Sequence, residues 1–166
     1  MTEPVLAKRA VVRDARGDAK APWDITKMVV TNGQRKLRIR VVYRGALQPD
    51  PYQGLLTNVK LDLGDPSNSI YSPDFTLDML RGSANPKVPD RLHLNRMIGY
   101  DAQRVRCGKL RVRVRYRRGI LDFSVPQRCF RGEAGRVRVA GFTYTPCGNP
   151  DEADYIDKWS RWIARG

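Results

Sequence analysis

The stretch CGKLRVRVRYRRGILDFSVPQRC, residues 107–129, decides the fold of this chain. Aliphatic or aromatic residues alternate with arginines over residues 110–117, the period of two that is typical of a strand with one buried side. After Arg118 and Gly119 the alternation resumes over residues 120–126. The pattern therefore predicts a β-hairpin that turns at this Arg-Gly pair.

The register of the predicted hairpin follows from keeping both apolar rows on one face. We expect Tyr116 to lie opposite Leu121, because a slip of one residue would place polar side chains against the apolar row. On the other face, the same register brings Arg115 to Asp122.

Two of the three cysteines stand near the ends of the hairpin. Strand pairing would bring Cys107 and Cys129 to bonding distance, so we predict a disulfide that leaves Cys147 unpaired or bonded between chains. The cysteines form no CxxC motif and the only histidine is His93, which argues against a structural zinc site.

The predicted disulfide bears on the compartment, because such bonds persist in oxidising environments. The first residues lack the apolar segment of a signal peptide, and no run in the chain is long enough to span a bilayer. We therefore expect a secreted, extracellular protein whose signal peptide has been removed. The alternative is a cytosolic protein with reduced thiols.

The rest of the chain contains further short strands at about ten-residue spacing, with almost no helical periodicity. We expect residues 81–106 to form a long loop with one or two short strands, and residues 147–157 to form a loop. The pattern predicts an all-β fold, an antiparallel β-sandwich of jelly-roll-like type with little helix, in which residues 1–166 form a single domain. Outside the hairpin, the strands are expected near residues 5–12, 26–30, 37–43, 59–63, 70–80 and 136–144.

The formal net charge is +14, from 31 Lys and Arg residues against 17 Asp and Glu residues. This charge favours polyanionic partners. Arginine greatly outnumbers lysine, however, as a GC-rich genome would produce without selection for a ligand. Both interpretations stay open.

Arginines occupy the outward positions of several predicted strands. If those strands share a sheet, the side chains form a broad cationic surface suited to phosphate or sulfate. The alternative is an ordinary solvated face that acidic loops partly neutralise. No aromatics are interleaved with them, as base-stacking proteins would require. The candidate polyanion-binding residues are Arg38, Arg40, Arg111, Arg113, Arg115, Arg117, Arg136 and Arg138.

Asp14, Asp18 and Asp24 stand close together around a glycine turn. Hard cations prefer several oxygen ligands from such loops, which makes these residues a candidate structural calcium site. The favoured interpretation is that Asp14 and Asp18 hydrogen-bond backbone amides in the turn. No other cofactor is predicted. A second acidic group comprises Asp151, Asp154 and Asp157.

Catalytic motifs are not evident. His93 lies near no recognisable serine or cysteine nucleophile motif, and nothing near Cys147 in sequence would lower its pKa. We therefore expect the protein not to be an enzyme.

Short spaced motifs run through the chain. They are Asp14-x-x-Gly17-Asp18, Trp23-Asp24-Ile25, Leu61-Asp62, Pro73-Asp74-Phe75, Cys107 with Pro126-x-x-Cys129, and Trp159-Ser160-x-Trp162-Ile163-Ala164-Arg165-Gly166. These motifs resemble those of secreted actinobacterial β-sandwich proteins of uncharacterised function, whose strand patterns are similar to family-nine carbohydrate-binding modules and to DOMON-like sandwiches. The resemblance implies export, a β-sandwich and a hairpin disulfide. Haem is not implied, because one histidine and few methionines offer no pair of ligands.

The function predicted from these observations is that of an exported, basic, non-catalytic β-sandwich. Its partner would be an anionic extracellular polymer or another protein. A carbohydrate-binding module is the alternative, and an intracellular nucleic-acid-binding protein is the second alternative. The carbohydrate alternative requires a concave sheet lined by aromatics such as Trp23, Tyr43, Tyr71 or Tyr100.

Overall fold

The computed structural model describes residues 9–15, 17–19, 23–47, 56–64, 68–80, 91–132, 134–144, 153–156 and 158–166. Strands dominate these residues, and the helical structure consists of two short 3-10 turns. In chain order the strands are β1 (Arg9–Arg13), β2 (Ile25–Asn32), β3 (Lys36–Tyr43), β4 (Leu56–Asp62), β5 (Phe75–Leu80), β6 (Arg91–Ile98), β7 (Asp101–Arg104), β8 (Arg111–Arg115), β9 (Ile120–Pro126), β10 (Arg136–Tyr144), β11 (Asp154–Ile156) and β12 (Ile163–Ala164).

The strands form two antiparallel sheets. A five-stranded sheet has the order β1-β2-β3-β9-β8, and a seven-stranded sheet has the order β11-β10-β4-β5-β6-β7 with β12 also paired to β10. Within each sheet, most neighbours in space are neighbours in sequence, and the chain crosses between the sheets after β3, β7 and β9. The prediction of an all-β, antiparallel sandwich is confirmed.

The core lies between the two sheets and takes alternate residues from each strand. Val41 from β3, Leu61 from β4, Leu77 from β5, Phe123 from β9 and Val139 from β10 are each at most 2% exposed. Burying each such side chain stabilises the fold by roughly 1.5–3 kcal/mol. The inner and outer faces of both sheets are therefore fixed by the apolar alternation.

The hairpin of β8 and β9 is present, but the predicted register is wrong by two residues. Val114, not Tyr116, lies opposite Leu121. The reason is the turn: Tyr116–Arg118 forms a 3-10 turn that ends at Gly119, so the strand stops earlier than the alternation suggests. A shift of two preserves the side on which each residue lies, and the apolar face is unchanged.

The disulfide between Cys107 and Cys129 is confirmed, with a Cα–Cα distance of 5.5 Å. Cys107 precedes β8, and Cys129 lies in the second 3-10 turn, Gln127–Phe130, directly after β9. The bond thus closes the open end of the hairpin. Cys147 lies outside the described residues.

Other predicted elements differ in detail. The segment 81–106 contains two strands, β6 and β7, of which β6 has eight residues. The predicted loop at 147–157 contains the short strand β11, which pairs with β10. The C-terminal tail forms β12 on the other part of β10. No helix among the described residues is long and apolar enough to cross a membrane.

Candidate functional site

The outer face of the five-stranded sheet carries basic side chains on four of its strands. Three rows of outward positions there hold eight basic residues and the single acid Asp122, and we call this surface the cationic face. Most of these residues line a shallow depression of about 810 Å³. In the strand order β1-β2-β3-β9-β8, its rows are Arg9, Thr31, Arg38, Ser124, Arg111; then Val11, Val29, Arg40, Asp122, Arg113; then Arg13, Lys27, Val42, Ile120, Arg115.

Asp122 is the centre of the ion pairs on this face. Its Oδ1 accepts a hydrogen bond of 2.5 Å from Arg40 Nε, and its Oδ2 lies 2.9 Å from Arg115 Nη2. Within the described part of the chain, Arg38, Arg111 and Arg113 make no ion pair. The positive charge of the face is therefore only partly offset by its own carboxylate.

The sequence predicted five of these basic residues and missed three. Arg38, Arg40, Arg111, Arg113 and Arg115 lie together as expected. The missed residues lie at outward positions of β1 and β2. The period of two would have identified these positions if the strand order had been known. The three missed residues are Arg9, Arg13 and Lys27.

Arg117, Arg136 and Arg138 do not belong to the cationic face. Arg117 lies in the 3-10 turn between β8 and β9, because the strand ends before it. The other two lie on β10 in the seven-stranded sheet, so the condition under which all eight arginines would share one surface is not met.

Both β10 arginines are held by the C-terminal tail. Arg138 Nε lies 2.6 Å from the fully buried Asp62 carboxylate, and its guanidinium stacks between Trp159 and Trp162 at 5.0 and 4.7 Å. Arg136 stacks on Trp162 at 4.3 Å. These arginines hold the tail on the sheet and are already engaged within the protein.

The outer face of the seven-stranded sheet carries a row of aromatic and polar side chains, which we call the aromatic row. Pairing across β11, β10, β4, β5 and β6 places two aromatic rings beside an amide, a carboxylate and an imidazole. The two rings stack with centroids 5.6 Å apart. The row consists of Tyr155, Phe142, Asn58, Asp78 and His93.

The polar half of the aromatic row is organised around Asp78. Asn58 donates a hydrogen bond to one of its oxygens, and Asn95 donates a bond of 2.6 Å to the other. Burial raises the pKa of Asp78, against the effect of these bonds and of nearby His93. The amides thus hold the carboxylate in a fixed orientation at the surface of the sheet.

A hollow of about 470 Å³ adjoins the aromatic half of the row. The Lys60 ammonium lies 5.5 Å from the centroid of the Tyr71 ring and 5.3 Å from that of Phe142. Tyr71 is 79% exposed and Tyr155 is 54% exposed. Three aromatic rings and a cation therefore border one surface depression.

Of the four aromatics predicted for a sugar-binding sheet, only Tyr71 borders this hollow. Tyr43 is in the core, where its hydroxyl is 2.7 Å from that of Thr57 and burial raises its pKa to about 12. Tyr100 projects at the turn after β6, and Trp23 is half-buried before β2. The sequence missed Phe142 and Tyr155, which only strand pairing brings together.

The predicted acidic cluster is rearranged. Carboxylate oxygens of Asp14, Asp18 and Asp154 all lie within 4.8 Å of one another, whereas Asp24 is not part of the group. Instead, Asp24 Oδ2 accepts a 2.7 Å bond from the Gly17 amide and pairs with Arg44 at 2.9 Å. The prediction that Asp24 acts with the other two loop carboxylates is therefore wrong.

Asp154 is the buried member of this cluster. Burial raises its pKa to about 6; the Ile25 amide, which donates to the carboxylate, opposes the rise, and the charges of Asp14 and Asp18 add to it. Three oxygen ligands suit a hard cation. The candidate calcium site stays a prediction, with Asp154 in place of Asp24.

No protein-family model matches this chain, and no curated protein is significantly similar to it. The resemblance to family-nine carbohydrate-binding modules and DOMON-like sandwiches therefore stays a prediction.

Proposed function

We propose that the protein binds an anionic polymer through the cationic face. The observation that carries this proposal is that three rows on the outer side of the five-stranded sheet hold eight basic side chains against one carboxylate. Five strands spaced about 4.8 Å apart make this surface about 19 Å wide. That width suits an extended chain better than a single small anion.

The arrangement of charge supports the same conclusion. Like charges close together on neighbouring strands repel, and Asp122 relieves only the part of the face around Arg40 and Arg115. Arginine guanidinium groups bind phosphate, sulfate and carboxylate through two parallel hydrogen bonds. A bound polyanion would supply the missing negative charge along Arg38, Arg111 and Arg113.

The class of polymer follows from the compartment and from the chemistry of the face. The Cys107–Cys129 disulfide indicates an oxidising environment, which favours an extracellular polymer such as a phosphate- or uronate-bearing polysaccharide. The rows of the face contain no aromatic side chain on which nucleic-acid bases would stack. Nucleic acid is therefore the less favoured anion, and export is part of the proposal.

Binding to polyphosphate and polygalacturonate at 50 and 200 mM NaCl tests the proposal. The triple variant Arg38→Gln/Arg111→Gln/Arg113→Gln should weaken binding. It should also reduce the magnitude of the slope of log K against log salt by up to about 2–3, because fewer counterions are released from the polymer when three contacts are lost. The matched control is Arg91→Gln/Arg118→Gln/Lys158→Gln, which removes equal charge from exposed positions elsewhere. Equal loss in both variants would mean that net charge, not this face, governs binding.

Export is tested separately by intact mass spectrometry of protein purified without reductant from its native cells. An intramolecular disulfide lowers the mass by two hydrogens relative to the reduced chain, and alkylation should then leave Cys107 and Cys129 unlabelled. Full alkylation of both cysteines would contradict the proposed compartment. The binding proposal does not depend on this result.

The proposal is for binding rather than catalysis. His93 lies opposite Asp78, and no described serine or cysteine hydrogen-bonds it. Nucleophilic catalysis needs such a pair within hydrogen-bond reach.

Carbohydrate binding by the aromatic row is a second candidate function. Sugars bind through contact of their C–H faces with aromatic rings and through hydrogen bonds to fixed polar groups. Tyr155 and Phe142 offer the rings, and Asn58 and Asp78 offer polar groups one and two strands further on. Tyr155→Ala should abolish retention on neutral polysaccharides, whereas the control Tyr100→Ala, at a 97% exposed position elsewhere, should not.

A further inference from the structure

A separate cavity of about 510 Å³ lies beside the disulfide, at the open end of the β8–β9 hairpin. Its walls come from β5, β6 and β7, from the loop before β8 and from the second 3-10 turn. This volume is in the range of sites that bind small molecules. The cavity does not use the outward positions that form the cationic face.

Five arginines line this cavity, and no carboxylate is among its described lining residues. One lies on β6, one on β7 and one in the loop after β7, and the other two flank Cys129 in the sequence. Several cationic residues around one cavity raise the local potential and favour an anion. The arginines are Arg96, Arg104, Arg106, Arg128 and Arg131.

The backbone that carries these arginines is tied together across the cavity. Arg128 Nη2 donates a 3.0 Å hydrogen bond to the Gly108 carbonyl, next to the disulfide between Cys107 and Cys129. The Arg131 amide bonds the Arg128 carbonyl at 3.2 Å, and Arg131 itself has a φ of +52°. Because these walls are joined before any ligand arrives, little ordering is required on binding.

Two phenylalanines are among the lining residues of the cavity. Phe75 and Phe130 pack edge to face with centroids 5.4 Å apart, and at 3% and 0% exposed they offer a ligand almost no surface. Val105 adds an aliphatic side chain, and its amide bonds the Leu94 carbonyl at 2.8 Å. The accessible lining is therefore mainly that of the arginines, which fits a small oxyanion.

We propose that this cavity binds a small anion, whose phosphate, sulfate or carboxylate group is held by the arginines. Planar guanidinium groups match the geometry of such oxyanions and bind them through paired hydrogen bonds. This site is independent of the polymer-binding proposal, since it uses different arginines.

Phenyl phosphate is the probe, with inorganic phosphate and phenol as its two halves, in calorimetry at 150 mM NaCl. Phenyl phosphate and inorganic phosphate should bind with affinities that differ by less than about tenfold, because the arginines hold the phosphate group of both, and phenol should not bind measurably. Phenol binding as tightly as phenyl phosphate, or no measurable binding of either phosphate, would overturn the proposal.

The location is tested with two variants of equal charge. Arg104→Gln/Arg106→Gln should weaken phenyl phosphate binding at least about tenfold, since two charge-assisted hydrogen bonds are lost. Arg111→Gln/Arg113→Gln, on the cationic face, should change it less than about twofold. Equal weakening by both pairs, or NMR shift changes on β8 instead of at residues 105–108 and 128–131, would overturn the proposal. Neither result would affect the polymer test.

Discussion

The Asp122 carboxylate on β9 lies 2.9 Å from the Arg115 guanidinium on β8. In the strand register, the residue directly opposite Asp122 is Arg113, two residues before Arg115. On its other side, Asp122 pairs with Arg40 on β3. One carboxylate therefore links three neighbouring strands and is the only negative group in the rows of the cationic face. Replacing Asp122 should therefore change the stability of the sheet and the affinity of the sheet for anions in opposite directions.

Asp122→Asn should tighten binding to polyphosphate while lowering the free energy of unfolding. The two half-exposed ion pairs are worth about 0.2–1 kcal/mol each, so we expect a loss on the order of 1 kcal/mol. Affinity and its salt dependence should both rise because the face gains net positive charge. Urea unfolding and binding at two salt concentrations measure the two effects, and unchanged affinity would argue against polymer binding at this face.

Gly119→Ala should destabilise the protein by at least about 2 kcal/mol. Gly119 ends the hairpin turn at φ +59°, and an added Cβ would lie 1.8 Å from the Gly45 carbonyl oxygen. Gly99 has a similar φ of +62° with nothing within 4 Å of its Cβ position, so Gly99→Ala should cost only about 1 kcal/mol. Equal losses in thermal unfolding would mean that the contact with Gly45 is not what requires glycine.

Trp162→Ala should lower stability by about 2 kcal/mol, because it removes a half-buried ring and its stacking with Arg136 and Arg138. The C-terminal tail should then become accessible to carboxypeptidase. Tyr100→Ala serves as the control, since that ring is 97% exposed and its loss should change stability by less than about 0.5 kcal/mol. A stable Trp162→Ala protein with a protected tail would contradict the stacking role.

Asp154 should make stability fall as the pH rises from about 4 to about 6. Its pKa of about 6 in the folded state exceeds the unfolded value of 3.8, so the folded state binds the proton more tightly in this window. The contribution is complete below pH 3.8 and is lost above pH 6, at no more than about 1.4 kcal/mol per pKa unit. In EDTA, Asp154→Asn should flatten this part of the profile.

Repeating the profile with calcium chloride tests the candidate cation site. A bound cation would lower the pKa of Asp154 and raise the melting temperature at pH 7, and Asp18→Asn should remove that increase. A melting temperature that is the same in calcium and in EDTA would show that the three carboxylates do not bind calcium.

Local patterns predicted the faces of the strands but not the pairing between distant strands. The alternation over residues 110–126 correctly assigned Val114 and Leu121 to the buried side, because period-two patterning depends only on neighbouring residues. The register depended on the turn, where Tyr116 left the strand for a 3-10 conformation that the alternation does not encode.

The candidate sites needed information that a single sequence does not hold. The alternation placed Arg138 and Arg113 on outward positions alike, although β10 belongs to the other sheet. Asp154 approaches Asp14 across most of the chain, and Phe142 meets Asn58 only because β10 pairs with β4. Each of these contacts is set by strand order, which is a property of the whole fold.

The five-stranded sheet ends in β1 and β8, whose sequences RAVVR and RVRVR leave arginine at both ends of each outer strand. Such charges discourage a second copy of the chain from adding its own strand to either border, since two like-charged borders repel. A bound polymer would cancel that repulsion. We therefore expect mixtures of the protein and a polyanion to become turbid when their positive and negative charges are equal. They should become clear again when polymer or salt is in excess.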